Sequence, residues 1–332
     1  MSPSPNTTLP VASSAAPVPT VAVDAGAAPA RNAGTSSIED ALEWMRKGGF
    51  VVVMDNEDRE NEGDLIATAE SATEEAVAFM LRHTTGIVCV PALASRLHNE
   101  LQLPLMVENN TEVHKCKFTV TDGGVLVRAG HTEAAVDLAR LAGAARPVGY
   151  ICEMNDEHGR MMRRPQLETF ATHHGLPLIT ISDLIRYRVR TEKLVERLGV
   201  SKRIATPLGE FVATEYKSLL HDGGAQRYDV LVYGDVSATP RDVAVYFVED
   251  GFAHSVQAQW AQKQIAEAHA AGVLIYVNDS KKLLEISGEL MARQSMFGMG
   301  MQIVRDLGVE TVVLLTSERD AKLAFDPHGF DR

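Results

Sequence analysis

Between residues 37 and 190, segments of helical period alternate with short apolar runs, and no other feature of the sequence restricts the fold so tightly. Ile38, Leu42 and Met45 share one helical face behind Ser37 and Asp40, which resemble a capping box, and Gly48-Gly49 ends that helix. Phe50 to Met54 then has the unbroken apolar character of a buried strand. The alternation predicts a helix over about 71–82, a strand over 86–90, a helix over about 132–142 and a strand over 148–152. A helix near 165–174, a strand over 178–181 and a helix capped by Ser182 and running to about Arg190 complete the series. Elements that alternate in this way form a layered α/β domain.

The 332 residues leave room for a second domain, at roughly 150 residues per domain. Strand-like segments at 210–216, 228–233 and 243–247 are followed by helix 257–271, strand 273–277, helix 296–307 and strand 311–315. This second, smaller unit is again α/β. The expected boundaries are 37–192 for the first domain and 205–332 for the second, with the charged stretch 193–204 as a linker. Residues 1–36 hold six of the 14 prolines, no aromatic residue and two charges, a composition expected to stay disordered.

A formal charge of −12 opposes general attraction to nucleic acid or to an anionic membrane. No run of about 18 apolar residues is present, so no transmembrane helix is expected. Three widely spaced cysteines, none after Cys152, make neither a disulfide framework nor a zinc pattern and suit a reducing, cytoplasmic setting.

The chemistry concentrates in the run from Asp55 to Asp64, which follows the first buried strand directly. Six of its ten residues are acidic, and Arg59 is embedded among them. Ligands of α/β sheets bind in loops beyond strand ends, and carboxylates this crowded need a compensating cation. An EF-hand fails, because the bidentate glutamate required at its twelfth position falls on Ala69. A magnesium-type site, with one or two carboxylates and open positions for substrate oxygens, fits better.

A second constellation, Arg128-Ala129-Gly130-His131-Thr132, lies at a junction leading into a helix. Arg128, the Thr132 hydroxyl and free helix N–H groups make a plausible anion pocket, and His131 is open to three roles: metal ligand, proton shuttle or cap. Glu153 ends a buried strand as a candidate acid or base, and Arg160, Arg163 and Arg164 read as a solvated face.

The runs Asp58-Arg59-Glu60-Asn61-Glu62-Gly63-Asp64, Met106-Val107-Glu108-Asn109-Asn110-Thr111, Arg128–Thr132 and Ile151-Cys152-Glu153 closely resemble 3,4-dihydroxy-2-butanone 4-phosphate synthase, over residues 37–190. The resemblance implies a homodimeric lyase that makes formate and dihydroxybutanone phosphate from D-ribulose 5-phosphate for riboflavin synthesis, with Mg2+ or Mn2+. It implies that Glu60 and His131 hold the metal. Arg59, Glu60, Asp64, Arg128, Thr132 and Glu153 would contact the sugar phosphate, and Asp64 and Glu153 would move protons. The chain departs from the family after Thr121, where a segment with part of the phosphate site and a catalytic histidine is absent and Asp122-Gly123 follows at once. The second half resembles GTP cyclohydrolase II around Gly298–Gly308 but lacks its three cysteine zinc ligands. An impaired family member, binding metal or sugar phosphate as a regulatory partner, is the alternative to an active lyase.

Overall fold

The computed structural model describes residues 20–24, 34–55, 59–93, 95–102, 123–220, 226–237, 243–248, 256–268, 271–278, 289–309 and 311–315. The Met106–Thr111 run, Asp58 and the junction at residues 121–122 lie outside them. In chain order the elements are β1 (Thr20–Asp24), α1 (Ile38–Arg46), β2 (Val51–Met54), β3 (Gly63–Thr68), α2 (Glu74–His83), α3 (His131–Leu141), β4 (Gly149–Glu153), α4 (Arg164–His174), β5 (Leu178–Thr180) and α5 (Ile181–Thr191). There follow β6 (Val195–Thr206), β7 (Gly209–Ser218), β8 (Arg227–Tyr233), β9 (Val243–Val248), α6 (Val256–Ala268), β10 (Gly272–Val277), α7 (Glu289–Asp306) and β11 (Thr311–Leu315).

The first domain is a four-stranded sheet, β4-β3-β2-β5, covered on both faces. Val51, Val53, Ile66, Ile151 and Ile179 point to the side packed by α1, α3 and α5. Val52, Met54, Leu65, Ala67, Cys152 and Leu178 point to the side packed by α2 and α4. Two-sided burial explains why these strands read as continuous apolar runs. Ser37 Oγ accepts from Asp40 N at 3.0 Å, as its spacing predicts, and Gly48 leaves the helix at φ +85°.

The second domain is built on a seven-stranded mixed sheet, β1-β11-β9-β10-β8-β7-β6, in which only the β9–β10 and β9–β11 pairings are parallel. One face carries α6, through Ala258, Ala261 and Ile265. The other carries α7, and its core of Met299, Met301, Ile303 and Val304 is continuous with the first domain's core.

Several sequence expectations are corrected. The charged stretch taken as a linker, 193–204, is largely β6, paired with β7 as an edge strand. Lys and Arg side chains are what edge strands carry toward water, so the charge that suggested a linker is the protection of an edge. The tail expected to be disordered contributes β1, whose Val21 and Val23 alternate with smaller residues and pair with β11. The strand expected over 86–90 is reduced to one isolated bridge, Cys89 with Ile151. β3, which the charged run conceals, was not anticipated as a strand. The cap of α5 is Thr180, whose Oγ1 accepts from Asp183 N at 3.0 Å, and not Ser182. No helix among the described residues is long and apolar enough to cross a membrane.

Candidate functional site

β2 ends at Met54, and the chain turns through the acidic run into β3, which pairs antiparallel with β2. Asp55 organises the turn: its Oδ1 accepts from Glu62 N at 2.8 Å and its Oδ2 from Glu60 N at 3.0 Å. Arg59 Nη1 donates to Asp55 Oδ2 at 2.9 Å and to Glu60 Oε2 at 2.6 Å. Asn61 takes φ +53°, a left-handed conformation that asparagine tolerates better than most residues. Arg163, expected on a solvated face, instead reaches from the start of α4 and donates to the Glu60 and Asn61 carbonyls. Arg160 does face solvent and pairs with Asp156.

Asp64 and Glu153 are direct partners across β3 and β4, so their side chains stand on one face, that of α3. Glu153 Oε2 accepts from Thr85 Oγ1 at 2.7 Å. Asp64 is buried, and burial pushes its carboxyl up to about 6. His131 opposes that rise, whereas Glu153, Glu62 and Glu60 reinforce it. Burial, with help from Glu60, likewise raises the Glu62 carboxyl.

His131 opens α3 behind Gly130, with Nδ1 3.9 Å from Asp64 Oδ1. Thr132 follows, half-buried in the first turn. Arg128 Nη1 donates to Glu133 Oε2 at 2.8 Å, so the arginine is held back against the helix. Burial raises the Glu133 carboxyl against the pull of Arg128. The turn that presents these residues contains Gly124 at φ +59°, where a Cβ would collide with the Asp137 carboxylate. Gly124→Ala is expected to lower stability by about 2–4 kcal/mol, combining left-handed strain with overpacking. Thermal melting would show this, and an unchanged melting temperature would refute the packing described.

The two distant constellations meet. One ligand atom each from Asp55, Glu60 and His131 lies within 4.8 Å of the others, the one such trio of potential metal ligands found among the described residues. His131 Nε2 and Asp64 Oδ1 are buried and have no hydrogen-bond partner among the described residues. A buried imidazole nitrogen left open beside carboxylates is the donor set of a divalent cation. Arg59 is bonded to both Asp55 and Glu60, Asp64 stands beside His131 and opposite Glu153, and Arg128 and Thr132 flank His131 in sequence, with Arg128 held by Glu133. Asp55 was not singled out from the sequence. Its signal was its place as the first residue beyond β2, where a side chain can fold back under its own turn.

Comparison with known proteins agrees with the geometry. The profile described as "3,4-dihydroxy-2-butanone 4-phosphate synthase" matches residues 39–121 and 121–187, two stretches that meet at Thr121. The 3,4-dihydroxy-2-butanone 4-phosphate synthase of Pseudomonas aeruginosa is 33% identical over 347 residues, covering 85% of this chain and 93% of that protein. The chain belongs to the 3,4-dihydroxy-2-butanone 4-phosphate synthase family. The bifunctional riboflavin biosynthesis protein RIBA 1 of Arabidopsis thaliana, described as chloroplastic, is 36% identical over 363 residues; the match covers 86% of this chain and 65% of that protein. The crystal structure of RibBX, a two domain 3,4-dihydroxy-2-butanone 4-phosphate synthase from A. baumannii, superposes with a TM-score of 0.69 at 32% identity, covering 87% of this chain and 97% of that one. The likeness to this family member therefore extends over both domains.

Proposed function

We propose that the chain is a cation-dependent lyase converting D-ribulose 5-phosphate to 3,4-dihydroxy-2-butanone 4-phosphate and formate, a step of riboflavin biosynthesis. Family membership supports the reaction, and one observation carries its location: Asp55, Glu60 and His131 converge on one point from distant stretches of chain. Two carboxylates and an imidazole suit Mg2+ or Mn2+. Held there, the cation would supply a Lewis acid that polarises adjacent oxygens of the sugar.

The chain's own groups account for the remaining steps. Rearranging a polyhydroxy ketone requires successive proton transfers, and Asp64, raised toward neutrality and beside Glu153, suits that work. Arg128, on exchanging its bond to Glu133 for the phosphate, would bind that group together with Thr132 and the first amides of α3. Arg59 ties Glu60 to Asp55 and stands ready to contact the sugar. The active species is proposed to be a homodimer. No cysteine follows Cys152, so the cyclohydrolase-like half lacks thiolates for zinc and is proposed to act as a scaffold.

The test is incubation of the full chain with ribulose 5-phosphate and Mg2+, followed by formate detection. Formate release that stops on chelation and returns with Mg2+ or Mn2+ is expected, with no hydrolysis of GTP. The absent segment after Thr121 favours a second reading, a binding or regulatory family member. Saturable binding of Mn2+ and sugar phosphate with no formate would select it.

A further inference from the structure

Gln302 is a buried polar residue on α7 of the second domain, and its amide is directed at the first. Its Oε1 accepts from Leu194 N at 2.7 Å, and its Nε2 donates to the carbonyls of Val189 and Glu192 at 2.7 Å each. Carbonyls at a helix C-terminus lack donors from within the helix, so this amide completes the end of α5 from across the domain boundary.

The last turn of α5 carries Arg188, which is 3% exposed. Its Nη1 donates to Gly123 O at 2.9 Å and to Asp137 Oδ2 at 2.8 Å, while Nε and Nη2 hold Glu192 at 3.0 Å each. Glu192 also accepts from Arg140 of α3 at 2.6 Å. Asp137 Oδ2 in turn accepts from Val125 N at 2.8 Å. The turn at 123–130 and the far end of α3 are therefore fastened to α5 by one connected set of bonds. That turn presents Arg128, and that helix begins with His131. Buried networks of this kind hold a single arrangement when every member is satisfied and loosen when one is removed.

We propose that the second domain braces the synthase site: Gln302 fixes the end of α5 so that Arg188 can hold the turn from which Arg128 and His131 are presented. Gln302 and Arg188 are then positioning residues. Only the roles of Arg128 and His131 rest on the functional reading above.

The experiment compares the full chain with Gln302→Leu, which keeps the apolar packing and removes the amide. In hydrogen exchange without metal or substrate, the Val125, Val127 and Arg128 amides are expected to exchange about tenfold faster, with the strands of both sheets unaffected. Mn2+ affinity should weaken about tenfold, the low end of what supporting partners of a metal ligand contribute. Unchanged exchange at those three amides, or a uniform rise across both sheets, would overturn the proposal. Should Gln302→Leu fail to fold, Arg188→Lys tests the same link. It keeps a charge beside Asp137 but loses the fork to Glu192, so the same local loosening is expected and its absence overturns the brace. A wild-type chain that releases no formate overturns the lyase reading instead, and leaves the brace to be judged by exchange alone.

Discussion

Glu60→Ala is expected to cut Mg2+-dependent formate release, with kcat/KM falling on the order of 10³-fold, equivalent to about 4 kcal/mol and the several kcal/mol that a bound cation contributes to charge stabilisation. His131→Ala should do the same. Both side chains are assigned to one ion, so the double variant is expected to be no worse than either single one. Independent contributions would multiply instead, and a multiplicative loss would break the assignment. Asp55→Asn serves as the third arm. It leaves one acceptor, for either Glu60 N or Glu62 N, turns an NH2 toward the other, and removes the charge that faces Arg59. Mn2+ binding should weaken in all three variants, whereas folding of Glu60→Ala should be little changed because Arg59 retains Asp55 as its partner. A Glu60→Ala protein that melts far below the wild type would make this carboxylate a structural group.

Much of this site is visible in the sequence because its two halves each carry a compact signature. The acidic run and the Arg128–Thr132 junction are short and rich in functional side chains. Their meeting is not visible, because it depends on β3 pairing with β4 and on α3 packing over the same sheet face. β3 itself was hidden by its first two residues: Gly63 and Asp64 argue against a strand, yet here glycine and a buried carboxylate open one. A Cβ at Gly63 would press on the Leu167 side chain, so glycine eases the packing of α4 there. Asp64 is buried in the strand against its own propensity. Function overrides local preference where a charged residue is retained in a core position.

The second domain shows the reverse difficulty. Its apolar strands β8, β9, β10 and β11 announce themselves through β-branched residues, and the alternation locates them to within a residue or two. β6 does not, because an edge strand carries the same Lys, Arg and Glu as a solvated connection. Gln302 was equally silent: it sits in a Met- and Gly-rich helix, and only the carbonyls it meets on α5 give it meaning.

Asp64→Asn separates stability from chemistry in one residue. An ordinary aspartate titrates near 3.8, whereas burial raises Asp64 to about 6 in the folded chain. The folded state therefore binds this proton more tightly than the unfolded state does. Stability from this group is fully present below pH 3.8 and is lost as pH rises to about 6, a change of about 3 kcal/mol at roughly 1.4 kcal/mol per unit. Above pH 6 the ionised buried carboxylate is a standing cost in the chelated protein. Asparagine keeps the shape and cannot ionise. The metal-free variant should accordingly be more stable than wild type at pH 8, by about 1–3 kcal/mol, and the difference should vanish toward pH 4. Glu62, Glu133 and Asp137 are raised as well, so the difference between the two proteins is the quantity to follow, not either curve alone. Turnover should move the opposite way, falling about 10²–10⁴-fold as one positioned proton carrier is lost. Greater stability with lost activity is the signature of a residue kept for its chemistry. A variant that is less stable at pH 8 would mark Asp64 as a structural carboxylate, and one that still turns over would move the proton transfer to Glu153.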